Sequence, residues 1–383
     1  MKLRYQFRVY PSASQGIELA KAFGCARVVW NNALGIRRDA YKQGKPVPSI
    51  VELAKLVITE AKKTEERSWL GEVSAVVLQS SLRDLGAAYS NFFASGEGTR
   101  KGPKMGPPRF KRKAGRQAVR FTKAARFSIT EDRALRLPKI GDVAVRWSRG
   151  LPSDPSSVTI IKDASGRYFA SFVVEAEDKP LPELDWEETD TGIDLGLSSY
   201  AVLRGRKIAS PKFFRRREKK LRRAQRKLGR CQTGSNNRRK AKLALAKVHA
   251  RIADQRRDFI EQETTRIVRE SQAAYLEDLN VKGMARSVRF GKSVHDQSLG
   301  TFARILEAKC VRYGRGFAKV GRWFPSTQLC SQCGALTGPR GREQLHIRQW
   351  VCDCGARHDR DGNAEINLRA EGRQLLAAGR AER

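Results

Sequence analysis

Two sets of side chains in this sequence have the chemistry to do more than fold a chain. The first is thiolate. Cys330-x2-Cys333 is followed, after 18 intervening residues, by Cys352-x-Cys354. Gly334 and Gly355 stand directly behind the second cysteine of each pair, where a tight knuckle needs positive φ. Four soft ligands in two turn-like pairs predict one tetrahedral Zn²⁺ of structural type. The single residue inside the second pair is tighter than the usual two, so Cys352 and Cys354 are the geometrically demanding half. Such a site contributes roughly 10–16 kcal/mol of apparent metal-binding free energy, enough to fold a ribbon with little core. His346 and His358 are spare ligands, whereas Cys25, Cys231 and Cys310 have no partner pattern and read as ordinary thiols.

The second set is carboxylate. Asp194 sits in Gly192-Ile193-Asp194-Leu195-Gly196, Glu277 in Tyr275-Leu276-Glu277-Asp278-Leu279, and Asp361 in His358-Asp359-Arg360-Asp361-Gly362-Asn363-Ala364. A carboxylate in an apolar strand is costly unless it meets a cation or a metal. Three that converged could hold two Mg²⁺ about 3.5–4 Å apart and hydrolyse a phosphodiester. Spacing alone does not select them. Asp361, at a helix start, reads equally well as an N-cap, and Asp190, Asp278, Asp359 and Glu365 are neighbours that could serve instead.

The elements that must position these groups follow from periodicity. Residues 1–10 alternate as a strand, closed by Pro11-Ser12-Ala13-Ser14 as turn and helix cap. Residues 14–95 are helical, with Leu78, Leu82, Leu85, Tyr89 and Phe92 forming one apolar stripe. Glycines and prolines from Gly96 to Pro108 break that pattern. Strand-like runs at 118–122, 143–147, 157–161 and 168–174 predict a small antiparallel barrel or sandwich. A linker near 179–190 precedes strands at 191–197, 199–203, 273–281 and 316–320, with a long helix over 212–257 and further helices over 297–313 and 362–376.

Charge narrows the class of partner. Lys and Arg number 76 against 40 acids, a formal net charge of +36, which favours polyanions and argues against a small neutral substrate. A hydrophobic fraction of 40% still supports real cores, so the chain is no disordered basic tail. No stretch approaches the ~20 apolar residues of a membrane span, and the N-terminus lacks a signal-peptide apolar run. Cysteines crowded near one end do not form a secreted disulfide framework, so a cytoplasmic nucleic-acid protein without a membrane partner is expected. Residues 212–257 carry 19 Lys/Arg against Glu218 and Asp254. On this segment Arg215, Arg216, Arg217, Lys219, Arg222, Arg223 and Arg226 predict phosphate neutralisation with counterion release, a solvated charged face being the alternative. Arg109 and Lys111, in the basic Pro107-Pro108-Arg109-Phe110-Lys111 stretch, are further nucleic-acid-binding candidates.

Taken in order, the Gly192–Leu197 run, Glu277, the four-cysteine ribbon and Asp359-Arg360-Asp361-Gly362-Asn363-Ala364-Glu365-Ile366-Asn367 resemble the transposon-encoded TnpB proteins, compact relatives of type V CRISPR effectors. Phe7-Arg8-Val9-Tyr10-Pro11, the Phe23–Asn31 stretch and Pro107–Lys111 extend the resemblance over essentially the whole chain.

The resemblance implies an α+β multidomain protein with a split RNase H-like (RuvC) domain carrying a zinc ribbon insert, a β-barrel wedge domain and a helical recognition domain. The implied boundaries are 1–10 and 106–180 for the wedge, 11–105 for recognition, 190–324 and 356–383 for the nuclease with a basic helical insertion at 208–270, and 325–355 for the ribbon.

The implied activity is RNA-guided endonucleolytic cleavage of DNA next to a short duplex motif, with two catalytic Mg²⁺ and one structural Zn²⁺. Asp194, Glu277 and Asp361 carry the family's catalytic and metal-binding roles, Asp361 being the acid two residues before Asn363. By position in the family pattern, Gln79 and Thr122 are candidates for reading the adjacent motif. The implied partners are a guide RNA from the transposon end and a target DNA duplex, bound by a monomer with its RNA in a prokaryotic, nucleoid-associated setting. An RNA-guided DNA-binding protein or repressor with little or no cleavage is the alternative. A cutting-and-joining transposase finds no Tyr or His-hydrophobe-His motif in the sequence.

Overall fold

The structure is a computed structural model that describes residues 1–286, 288, 291–341 and 343–381. The expected nuclease and ribbon segments include residues 287, 289, 290, 342, 382 and 383, which lie outside the described residues. The chain forms two compact units, Met1–Glu177 and Asp178–Arg383.

In the first unit, β1 (Lys2–Tyr10) alternates as the sequence requires, burying Tyr5, Phe7 and Val9. Ser12 then caps α1 (Ala13–Lys42) in a reciprocal capping box with Gln15. A short α2 (Ile50–Ala54) and irregular helical turns over 55–72 lead to α3 (Ala75–Gly96). The apolar stripe of α3 is inward: Leu78, Leu82 and Leu85 are fully buried.

The strands β2 (Gln117–Thr122), β3 (Ser128–Ile129), β4 (Leu135–Leu137), β5 (Gly141–Arg146), β6 (Ser157–Lys162) and β7 (Tyr168–Glu175) join β1 in one antiparallel sheet, ordered β2-β6-β7-β1-β5-β4-β3. Among the described residues no ladder joins β2 to β3, the two edges of the sheet that the sequence predicted as a small antiparallel barrel or sandwich. β1 fills the centre because it is nine residues long and pairs β7 over eight of them. Phe7, Trp147 and Phe172 stack in its core.

The second unit opens with α4 (Trp186–Thr189), followed by β8 (Thr191–Leu195), β9 (Ser199–Leu203) and β10 (Arg206–Ala209) as an antiparallel meander. Two helices, α5 (Phe213–Gly229) and α6 (Asn236–Glu270), come next, then β11 (Ala273–Glu277), α7 (Val281–Arg286), α8 (Gly291–Gln297), α9 (Leu299–Tyr313) and β12 (Gly316–Val320). The hairpin β13 (Gln349–Val351) and β14 (Arg357–Asp359) runs directly into α10 (Arg360–Ala381).

Its main sheet is mixed, ordered β10-β9-β8-β11-β12, with β8, β11 and β12 parallel. β11, Ala273-Ala274-Tyr275-Leu276, is buried throughout, as expected of a parallel strand covered on both faces. The basic segment is a helical hairpin and not the single helix expected over 212–257. The chain turns between Gly229 and Ser235, with Gly234 at φ +84°, and Leu221 packs on Val248 and Ile252 across the pair. Among the described residues no helix is long and apolar enough to cross a membrane.

Candidate active site and metal centre

The acids arise where parallel strands end. In the register of β11 on β8, Tyr275 pairs Gly192 and Leu276 pairs Ile193, so the next step sets Glu277 beside Asp194 on the neighbouring strand. Asp361 reaches them from the first turn of α10, and with Asp194 it lines a cavity of about 670 Å³. The approach of that helix depends on a missing side chain. A Cβ on Gly192 would lie 2.1 Å from the Glu365 carbonyl oxygen, and one on Gly372 would lie 2.2 Å from Tyr275 Cγ. Two glycines, one on the strand and one on the helix, therefore let α10 settle against β8 and β11. Glu365 Oε1 accepts the Gly192 amide at 3.0 Å and fastens the contact.

Electrostatics follow from this crowding. Burial above all, then the Asp361 and Glu277 charges, push Asp194 up to about 7. Glu277 is also raised, by burial and by Asp278. Both shifts disfavour the ionised form.

The neighbouring acids have other partners. Asp190 is fully buried and held by Arg373 Nη2 at 2.8 Å and Arg204 Nη1 at 3.4 Å. Asp278 pairs with Arg322 at 2.8 Å. Asp359 is the cap of α10, its Oδ1 accepting the Gly362 amide at 2.9 Å. That contact makes Asp359 the cap, while Asp361 lines the cavity.

Asp361 meets two cations that spacing did not suggest. Arg348 Nη1 lies 3.2 Å and 3.4 Å from its two oxygens, and Lys207 Nζ lies 3.6 Å away. Arg348 also donates to Ser198 Oγ at 2.8 Å. The only sequence signal for Arg348 is indirect: it precedes β13, and its carbonyl accepts the Arg360 amide at 2.8 Å, so the hairpin delivers it to the start of α10.

The four predicted thiols are together. All Sγ atoms of Cys330, Cys333, Cys352 and Cys354 lie within 4.8 Å of one another. Cys330–Cys354 and Cys333–Cys352 are 3.8 Å and 3.6 Å apart. Zn–S bonds of about 2.3 Å in a tetrahedron require S···S separations of ~3.8 Å, so the cluster is compatible with structural zinc. Gly334 and Gly355 take φ of +76° and +86°, the values the knuckles demand. The short second pair is accommodated because the Cys352 amide donates to Ala356 and Gly355 donates back to Cys352, at 2.9 Å and 2.8 Å. The Cys354 backbone amide, then the Thr337 hydroxyl, hold the Cys352 thiol down to about 6.

His358 lies beside the cluster, its Nε2 3.1 Å from Cys330 Sγ and its ring tilted against Trp350. His346 is engaged elsewhere, its ring nitrogen 2.8 Å from the Glu343 carbonyl. Asn363 and Asn367, one turn apart on α10, each donate to the Leu329 carbonyl at 2.7 Å, and Asn363 accepts the Ser331 amide at 3.0 Å. The helix that carries Asp361 thus also grips the first knuckle.

The predicted nucleic-acid contacts are dispersed. On α5, Arg216, Lys219, Arg223 and Arg226 are exposed, and their side chains make no hydrogen bond or ion pair among the described residues. Arg215, Arg217 and Arg222 are engaged with Ser293, Gln255 and Glu218. Asp296 anchors this helix by accepting the Phe214 amide at 2.8 Å and pairing with Arg256. In the first unit Arg109 is exposed, and the Lys111 ammonium packs over the Trp30 ring. Gln79 is exposed on α3, and Thr122 ends β2 with a buried hydroxyl that has no partner among the described residues.

Three family models match this chain. Residues 171–288 match one described as "Probable transposase", residues 300–368 match the "Cas12f1-like, TNB domain", and residues 1–46 match a "Helix-turn-helix domain". That last segment is here one strand and one helix, β1 and α1. A protein of Streptomyces pristinaespiralis named "Putative RNA-guided DNA endonuclease" is 40% identical over 99% of this chain and 91% of its own length. A like-named protein of Escherichia coli (strain K12) is 28% identical over 98% and 93%. Among solved structures, a chain from a Cas12f1–sgRNA–target DNA complex shares the fold with a TM-score of 0.53 at 14% identity, over 96% of this chain and 98% of that one. Near-full-length identity at this level, together with the matched models, establishes the relationship: the chain belongs to the transposon-encoded TnpB (OrfB of IS605-type elements) family.

Proposed function

We propose that this chain is an RNA-guided DNA endonuclease of a transposable element, cutting a target duplex beside a short recognised motif, with Asp194, Glu277 and Asp361 as divalent-ion ligands. One observation carries the reading. Asp194 and Asp361 meet in a single cavity, and the Glu277 charge acts on Asp194 from the adjacent strand. An all-oxygen donor set suits Mg²⁺, whereas the thiol cluster suits one structural Zn²⁺. Bound there, Mg²⁺ would activate water and neutralise charge developing on the phosphodiester.

The chain's own residues supply the rest. Asp194 lines the cavity, and burial with the neighbouring carboxylates raises its pKa to about 7, so arriving positive charge would favour its ionised form. Arg348 and Lys207 orient Asp361, and Arg348, half exposed, would turn toward a phosphate by exchanging its bonds to Asp361 and Ser198. The unpartnered α5 cations would hold strand backbone by charge and shape, leaving sequence to base pairing. The sheet gathered from 191–209, 273–277 and 316–320, with α10 against it, supports a split RNase H-like nuclease over 190–324 and 356–383, with a basic insertion at 208–270 and a ribbon at 325–355. Residues 1–10 with 106–180 would be the wedge and 11–105 the recognition domain, with Gln79 and Thr122 reading the adjacent motif. The names of the relatives support a guide RNA and DNA as partners, and the chain would act as a monomer with its RNA.

The test begins with RNA co-purified from cells carrying the native locus, followed by a programmed target library in Mg²⁺. A defined RNA species and cutting at the matched target are expected. Asp194→Ala should lower cutting at least 10³-fold while RNA and target binding persist. Cutting by that variant rejects the ligand assignment, and random RNA fragments reject guidance. The Arg348 and Lys207 contacts to Asp361 favour, as second reading, a guided binder whose site stays closed; target binding by the parent protein without cutting in any divalent ion would select it.

A further inference from the structure

Within the first unit a cavity of about 890 Å³ lies where β1, β2, β6 and β7 meet α1, α3 and the loop before β2. Its charge is one-sided. Arg4, Arg27, Lys111, Arg112, Arg116 and Arg120 line it against a single acid, Asp84, which Arg120 already pairs. Cations on an open surface would need no explanation, but one feature of the wall is not that of open surface. Ser80 is 2% exposed, and its hydroxyl finds no hydrogen-bond partner among the described residues. A buried polar group left so is costly unless something enters to meet it.

Lys111 is exposed, and its ammonium lies 3.6 Å from the Trp30 ring centroid. It is held there by its backbone. Trp30 Nε1 donates to the Arg109 carbonyl at 3.0 Å, and Asn31 both donates to Lys111 O and accepts Lys111 N, at 3.0 Å and 2.8 Å. Phe23 and Phe110 add aromatic surface to the same cavity.

We propose that this cavity takes one nucleotide unit of a single-stranded nucleic acid, its phosphate among the cations, its base against the phenyl rings with a polar edge on Ser80. The volume, within the ~300–1,000 Å³ of small-molecule sites, is far larger than a phosphate needs. Arginine suits the phosphate, and flat aromatic faces suit any base. The placement shares with the functional reading only a nucleic-acid partner, and its test contains neither divalent ion nor guide, so either can fail alone.

The experiment titrates UMP, dTMP and inorganic phosphate separately into the full chain, stripped of nucleic acid and in EDTA, by calorimetry. Saturable binding of UMP or dTMP at one site per chain is expected, with phosphate at least tenfold weaker. Arg27→Ala and Arg116→Ala should each weaken the nucleotide about tenfold, the worth of a charge-assisted hydrogen bond. Ser80→Ala should weaken the nucleotide and leave phosphate unchanged, and Lys247→Ala, an exposed cation of the second unit, should change neither. Arg116 is exposed, so its variant carries the test if Arg27→Ala melts early. A preference for UMP or dTMP identifies the strand as RNA or DNA. Absence of saturable binding, phosphate binding as tightly as either nucleotide, or indifference to Arg116→Ala overturns the proposal.

Discussion

The thiol cluster and the carboxylate cluster share one helix, yet the chain builds them in opposite ways. The thiols come from two local knuckles, Cys330 and Cys354 being 24 positions apart. Each knuckle is shaped by its own backbone hydrogen bonds and a positive-φ glycine. The carboxylates come from two strands and a helix, and the bond that seats the helix, Gly192 to Glu365, spans 173 positions. The thiol site needs only its own turns, whereas the acid site needs the whole unit to be correct. Asn363 and Asn367 couple them, because the helix that presents Asp361 also holds the Leu329–Ser331 backbone.

Four perturbations would break or sharpen that contrast. Cys330→Ser should act most strongly, removing about one equivalent of zinc by elemental analysis and exposing residues 325–358 to hydrogen exchange, since such a site can supply ~10 kcal/mol or more. If exchange stays confined to the ribbon and α10 is unaffected, the coupling through the two asparagines is absent. Gly192→Ala forces a methyl to 2.1 Å from a carbonyl oxygen. It should cost about 3 kcal/mol or more and lower the melting temperature by several degrees, with zinc content unchanged. Loss of zinc in that variant would mean that the thiol site is not local after all.

The third concerns pH. Asp194 titrates near 7 in the folded protein against 3.8 ordinarily. Between those values the folded state keeps a proton that the unfolded chain has lost, so metal-free stability falls as pH rises from about 4 to about 7. Asp194→Asn should abolish that part of the slope and stabilise the protein at pH 8 in EDTA by a few kcal/mol at most. Denaturant midpoints at pH 5 and pH 8 read the sign directly, and a parent protein that gains stability across the window contradicts it. Glu277 shifts in the same direction and leaves a residual slope. The smallest effect is expected of Arg348→Ala. Its partly exposed pair with Asp361 is worth about 1 kcal/mol at most, so Mn²⁺ should bind the metal-free protein no more than ~5-fold tighter. Weaker binding would mean that Arg348 organises the site instead of competing for it.

Sequence alone went furthest where spacing is the mechanism. Cys-x2-Cys with Cys-x-Cys named all four thiols, because ligands on tight turns lie close whatever surrounds them. Alternation fixed β1, and the leucine stripe fixed the inner face of α3, because burial repeats with the backbone period. The same reasoning missed the turn inside the basic segment and could not choose between Asp359 and Asp361, which sit on one helix start. Their roles diverge only because one oxygen finds the Gly362 amide while the other side chain faces β8. Nor could it see why Gly192 must be glycine, since its partner Glu365 lies 173 positions away, or find Arg348, which only the β13–β14 hairpin brings to Asp361.

What the sequence determined, then, was composition, periodicity and every contact that short-range geometry closes: the cationic balance, the strands and helices, the two knuckles. The tertiary structure alone decided which acids are neutralised and which are left to repel one another. Asp190 and Asp194 stand four residues apart in the sequence, yet Arg373 of α10 pairs with the first, while Asp361 of α10 and Glu277 of β11 crowd the second.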